Sequence, residues 1–295
     1  MSRRDFRYNS SKKRSSQKRP ESPSPRNQRA HARPHGVSAD LVMGRNCVEE
    51  LLRYYPDRIL EIFISEKKDE ARAGREDRKN SILDRALKQG LPARECDRRE
   101  LDSMVHSDSH QGVVARVSPR SFLDLDDLVG MVREERSVRI LALDGVLDPQ
   151  NFGAILRAAE CYGVSAVVWS RNRGAPLGPV VAKVSVGASE LVPLCPVANL
   201  HRALEVLKEA GAWSVGAMVA PDATAVESFE FPEKCVLVMG SEGEGVQQLI
   251  ERSLDFRVYI SMLGKISSLN VSQATTVLLH AMANQHRQKG VLKVT

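Results

Sequence analysis

From Arg139 onward the chain repeats one pattern: a short apolar run, a loop rich in Gly, Asn, Ser or acidic residues, then a stretch with helical spacing. Strand-like runs fall at residues 140–143, 166–169, 215–218, 236–239 and 257–260. Helix-like stretches fall at 151–161, at 200–210, and from Asn270 toward the end. This alternation predicts an α/β fold with a mostly parallel sheet covered by helices. No internal repeat is visible. In open α/β sheets ligands bind outside the carboxyl ends of the strands. The loops after the strands are therefore where chemistry is expected.

The rest of the chain is organised differently. Residues 1–36 are mostly Ser, Arg, Lys and Pro and have too little to bury to offset the entropy of ordering, which predicts a disordered basic tail. It holds 11 Lys or Arg against two acids, Asp5 and Glu21, a net charge of +9. Two readings are open for it: an arm that touches polyanions, or an inert solubilising tail. Residues 37–118 read as a small α/β domain. It has an apolar segment with helical spacing after Gly44, strands at 59–64 and 113–117, a helix at 81–88 closed by Gly90, and a solvated mixed-charge stretch at 67–79. Pro119 and the acids from Asp124 to Asp127 mark a linker over 119–136, a connector or a short linking helix, and a second domain spans 137–295. The whole chain carries +6, whereas residues 37–136 hold 18 basic and 21 acidic side chains and residues 137–295 hold 14 of each. The basic excess thus lies in the tail.

Several classes are disfavoured. No run of about 18 apolar residues exists to span a membrane, and no apolar segment follows the amino-terminal arginines as in a secretory signal. Five dispersed cysteines, with no C-x-x-C pair and no His at ligand spacing, fit a reducing cytosol and no metal site. No Walker loop or dinucleotide fingerprint is present.

Three loops stand out. The first runs from Asp144 to Gly153 and leads into a helix that carries Asn151 and, six residues on, Arg157. The second is Gly240-Ser241-Glu242-Gly243-Glu244-Gly245, directly after an apolar strand, and the third runs from Gly264 to Ser272. Each has an ordinary explanation. Asp148 and Pro149 suit a helix start, with Asn151 as a first-turn polar residue. Arg157, among Ala and Leu neighbours, either snorkels or points into a cleft. The glycines suit a tight turn, and Ser268 and Asn270 suit helix capping.

As an ordered set they are more specific. Asn151-x5-Arg157, the Met239-to-Gly245 run and Ser268-Leu269-Asn270-Val271-Ser272 resemble the three motifs of the SpoU/TrmH-type RNA ribose 2′-O-methyltransferases of the knotted SPOUT superfamily. The resemblance covers roughly residues 40–290. Gly44-Arg45-Asn46, His110-Gln111-Gly112-Val113 and the 182–188 segment look most like the two-domain branch acting on a guanosine ribose of 23S ribosomal RNA. Many relatives have His where Arg45 stands, and the basic extension is longer than usual for the branch.

The resemblance implies a carboxyl-terminal SPOUT domain with a parallel sheet and a deep trefoil knot, preceded by a ribosomal-protein-like α/β RNA-binding domain. It implies S-adenosylmethionine as methyl donor, bound near Gly240, Ile260 and Leu269, with Gly240 leaving room for the adenosine. Asn151, Arg157, Glu242, Ser268 and Asn270 match the polar residues around the reacting centre. An arginine has been proposed as the base in this family; because Arg stays protonated, Arg157 is better suited to holding phosphate and stabilising charge. Glu242 would face Arg157 or the ribose. The implied partners are ribosomal RNA and a second copy of the chain, a homodimer through the carboxyl-terminal domain. DNA and membrane are not expected partners, and the location is cytoplasmic. Two other readings are transfer RNA as substrate, and a catalytically silent RNA-binding assembly factor.

Overall fold

Strands with apolar side chains on both faces shape the amino-terminal part. In the computed structural model, residues 41–65 and 82–291 are described. The basic tail and the 67–79 stretch lie outside the described residues. Strands β1 (Leu41–Met43), β2 (Ile59–Ser65), β3 (Ala93–Cys96) and β4 (Val113–Val117) form a mixed sheet in the order β1-β4-β2-β3. Ile62, Ile64, Val113 and Ala115 face one side, where they meet Val48, Leu51 and Leu52 of α1 (Arg45–Tyr54) and Ile82 and Ala86 of α2 (residues 82–88). Phe63 and Val114 face the other side and meet Leu101 of α3 (Arg98–Val105). This is the period-two pleat of a sheet with a helix on each face.

The helix expected after Gly44 begins there, as α1. That glycine has φ +96°, a conformation L-residues avoid, and its N–H donates to Val113 O at 3.0 Å, so Leu41–Met43 pairs as a strand before α1 begins. Two family-like strings meet here, because Arg45 N donates to Gln111 Oε1 at 3.2 Å. Next to Gln111, fully buried His110 accepts from Gly112 N at Nδ1, 2.9 Å, which leaves Nε2–H to donate to Asp102 Oδ1, 2.8 Å away.

The second sheet has seven strands, all paired in parallel: β5 (Val138–Leu143), β6 (Ala166–Ser170), β7 (Leu194–Val197), β8 (Trp213–Ala217), β9 (Thr224–Ala225), β10 (Lys234–Met239) and β11 (Phe256–Tyr259). Their order is β7-β6-β5-β10-β8-β11-β9. β10, residues Lys-Cys-Val-Leu-Val-Met, lies at the centre and is buried on both faces. Each such side chain contributes roughly 1.5–3 kcal/mol. On one face Leu237 and Met239 pack with α5 (Pro149–Cys161) and α10 (Val271–Gln288). On the other, Val236 and Val238 pack with α4 (Leu125–Glu134), α8 (Leu200–Glu209) and α9 (Gln248–Ser253).

Of the two forms expected for the 119–136 stretch, the structure has the short helix, α4. Asp124 and Asp127 form a capping box that starts α4, and Leu128 and Val132 are fully buried in the second core. β3 is mostly polar in sequence and the apolar run of β7 is interrupted by proline; β7 lies at a sheet edge, where Pro196 is tolerated.

The two sheets meet along the 182–188 segment. α6 (Pro179–Ser185) and α7 (Ala188–Leu191) are joined through Gly187, φ +92°, where a Cβ would lie 3.2 Å from Cys47 Cα. Cys47 Sγ donates to Ala182 O at 3.1 Å, and Arg58 pairs with Glu190 at 3.0 Å. Burial pushes the Cys47 thiol up to about 12, so it remains a neutral donor. Burial also pulls Arg120 down to about 10, still charged at neutral pH, and its guanidinium donates to Val192 O.

Candidate active site

Parallel pairing brings the loops after β5 and β10 side by side. The register Met239↔Leu143 puts Gly240 level with Asp144 at the carboxyl ends of adjacent strands. The α5 start is built as its local sequence suggests: Asp148 accepts from the N–H groups of Gln150 and Asn151, and Pro149 takes the first turn. This cap leaves the Asn151 side chain, 9% exposed, free to face the neighbouring loop.

There three side chains converge. Asn151 Nδ2 donates to Glu242 Oε1 at 3.0 Å, Asn270 Nδ2 donates to Asn151 Oδ1 at 3.0 Å, and Asn270 Nδ2 also donates to Glu242 Oε1. Asn270 caps α10 at the same time, its Oδ1 accepting from Ser272 N at 2.8 Å and Ser272 Oγ at 2.6 Å. Capping and site roles are thus fulfilled by one residue. Glu242 accepts two amide donors, both at Oε1, which fixes that carboxylate oxygen.

The loop that carries Glu242 closes on itself: Ser241 N donates to Gly245 O at 3.0 Å and Gly245 N to Ser241 O at 3.1 Å. A Cβ on Gly240 would collide with Gly245 and Val246. The glycine is therefore required by its own loop, whereas the sequence suggested space for a ligand.

A cleft of about 710 Å³ opens beside the triangle, and Gly240, Glu242, Ile260, Ser268, Leu269 and Asn270 all line it. Its floor is apolar, with Met239, Val258 and half-buried Ile260 at strand ends. Met262, Leu263 and Ile266, on the loop before α10, are exposed, Leu263 fully so. Ser268 is exposed on the cleft and takes no part in the triangle.

Arg157 is elsewhere. Six residues on an α-helix advance about 9 Å and turn about 120° from the starting face. Arg157 therefore emerges on the exposed side of α5, and the cleft lining does not include it. Glu242 engages the two asparagines, where an arginine was one of the expected partners.

Asp144 was missed as a single residue although its loop was singled out. Only 2% exposed, it accepts from Gln247 N at 2.7 Å and from Gln247 Nε2, and so ties the first loop to the second. An acid directly after an apolar strand was the available signal. Among the described residues no group of three His, Cys, Asp or Glu is placed to hold a metal ion, and no helix is long and apolar enough to cross a membrane.

Such a fold defines a class that known proteins share. The SpoU rRNA Methylase family matches residues 139–280, and the RNA 2′-O ribose methyltransferase substrate binding family matches residues 41–123. Among solved structures, the chain superposes on an AdoMet-bound rRNA methyltransferase from Sinorhizobium meliloti with a TM-score of 0.65 at 20% identity, covering 86% of this chain and 88% of that one. It also superposes on the SpoU methyltransferase AviRb from Streptomyces viridochromogenes, with a TM-score of 0.63 at 20% identity over 84% of this chain and 90% of that one. In sequence it is 39% identical to the 23S rRNA (guanosine-2′-O-)-methyltransferase RlmB of Pseudomonas putida, over 85% of this chain and 98% of the relative. It is 40% identical to the protein of that name from Yersinia pestis, over 85% of this chain and 99% of the relative. The chain belongs to this SpoU family of rRNA methyltransferases.

Proposed function

We propose that the protein methylates the ribose 2′-hydroxyl of a guanosine in 23S ribosomal RNA with S-adenosylmethionine as donor. The observation that carries this is the Asn151–Glu242–Asn270 triangle closed against a largely apolar cleft at the strand ends. The relatives' shared name supplies the RNA and the nucleoside.

The cleft suits the donor chemically. Apolar side chains at 239, 258, 260 and 269 can flank an adenine ring, and the Glu242 carboxylate is complementary to a sulfonium cation. When bound, that group supplies an electrophilic methyl on a good leaving group. What remains for the protein is alignment and removal of a hydroxyl proton. Asn151 and Asn270 hold Glu242 in one orientation, and its second oxygen would accept a hydrogen bond from the ribose. Ser268, on the same cleft, offers a further hydroxyl.

The same reading includes a trefoil knot at the carboxyl end, a homodimer and a cytoplasmic location. The insertion of β10 between β5 and β8 is consistent with a threaded chain. Val277, on α10, is 38% exposed, and α10 packs against α5, which exposes Arg157. In a dimer through these helices Arg157 would serve the partner's cleft, where it would hold phosphate and stabilise charge.

The test is methyl transfer from radiolabelled donor to 23S RNA, with the modified position mapped by ribose-methylation sequencing. Label on a guanosine 2′-oxygen is expected. Folded protein that shows no donor binding by calorimetry would overturn the reading and favour an RNA-binding assembly factor.

A further inference from the structure

The second sheet changes its direction of growth between β5 and β10. From β5 the chain steps outward through β6 to β7, whereas β10, β8 and β11 lie on the other side. Crevices at such switch points are the usual ligand sites of open α/β sheets. Here the crevice is a second cleft, of about 360 Å³, whose lining includes Asp144, Arg173, Ser241, Glu244, Gln247 and Glu251. It adjoins the first, because Ser241 and Gly245 line both.

Its walls are held in place. Asp144 fixes Gln247 through two hydrogen bonds, and Gln247 Oε1 in turn accepts from Arg173 Nη1 at 2.9 Å. The amide orientation is therefore set, with Nε2 toward Asp144 and Oε1 toward Arg173. The loop bearing Arg173 is pinned to the β5 loop by Ala175 N donating to Val146 O at 2.8 Å. It turns tightly at Gly174, where a Cβ would come within 2.8 Å of Ser170 O.

The chemistry is that of a base-reading site. A guanidinium has five N–H donors, of which Arg173 spends one on Gln247. Guanine presents two acceptors, O6 and N7, that match an arginine fork. Its N1–H and N2–H₂ donors match carboxylates such as those of Glu244 and Glu251. Adenine has a donor where guanine has O6 and lacks the amino group at C2, so the same groups would repel one edge and leave the other unpaired.

We propose that this cleft receives the base of the nucleotide being methylated, and that Arg173 and Glu244 make guanine the preferred base. The proposal rests on the ribose reading above: with the ribose at Glu242, next to Ser241, sugar and base occupy adjoining clefts.

Steady-state methyl transfer with RNA fragments carrying guanosine, inosine or adenosine at the mapped position tests it. For the wild-type protein, replacing guanosine by inosine or adenosine is expected to lower kcat/KM by roughly 5- to 150-fold, the worth of one lost paired contact. Arg173→Ala should lower the guanosine-to-adenosine ratio at least about fivefold, and Glu244→Gln should bring guanosine against inosine to within about threefold of unity, each with donor affinity retained. Wild-type ratios preserved in both variants would overturn the base assignment and leave the ribose reading intact. No transfer to guanosine RNA by the wild type would overturn both.

Discussion

Asn151 uses both ends of its amide, donating to Glu242 and accepting from Asn270. An amide is the side chain that can do both while uncharged. Asn151→Asp would place a second carboxylate against Glu242, where like charges disfavour joint ionisation and raise one carboxyl pKa. A raised folded-state pKa costs stability above the unfolded value near 4, and the cost grows as pH rises to the folded value. Relative to Asn151→Ala, the Asp variant should therefore have a lower Tm at pH 8 than at pH 5. Thermal scans at the two pH values measure this, and equal deficits would sink the pairing. Both Asn151→Ala and Glu242→Ala should lower methyl transfer about 10- to 100-fold, as loss of one oriented hydrogen bond costs roughly 1–3 kcal/mol. Circular dichroism should show the fold intact. In the sequence Asn151 reads equally well as a first-turn residue, and it is one; the site role becomes visible only from the loop facing it.

Helix α5 shows how an element can be placed by an absent side chain. Gly153 lies in its buried face, and α6 approaches so closely that a Cβ would be 2.8 Å from Val184 Cβ and 3.0 Å from Val181 O. In an exposed helix interior Gly→Ala stabilises by about 1 kcal/mol. Here the sign should reverse, because overpacking costs roughly 1–3 kcal/mol. Gly153→Ala is expected to lower Tm by several degrees, at about 2–4 °C per kcal/mol for a chain of this size; a higher Tm would refute the close packing. Strong local patterns made elements of this kind legible. The β5, β6, β8, β10 and β11 strands and the α5, α8 and α10 helices all lie close to their expected places. β1, β3 and β7 were not legible, because a three-residue strand, a polar strand and one containing proline depend on their neighbours for pairing.

At the scale of the whole molecule, the +6 charge separates into a tail of +9, residues 37–136 at −3 and a neutral carboxyl-terminal part. A basic segment adds affinity for RNA that is independent of sequence and falls with salt. Deleting residues 1–36 should weaken RNA binding at low salt, flatten the dependence of log K on log salt, and leave donor affinity unchanged. Filter binding over a salt series reads this, and superimposable lines would reduce the tail to a solubilising role. The sequence alone determined the alternation of strands and helices, and with it the parallel α/β class, since hydrophobic periodicity is a local property. It also marked the three loops, whose order and spacing carry the family resemblance. Only the tertiary structure decided that Asn151, Glu242 and Asn270 meet across separations of 91, 28 and 119 residues, that Arg157 faces away from them, and that Arg173 joins Asp144 through Gln247. Those contacts follow from strand order, which is settled by packing both faces of one sheet and leaves no trace in any short stretch of chain.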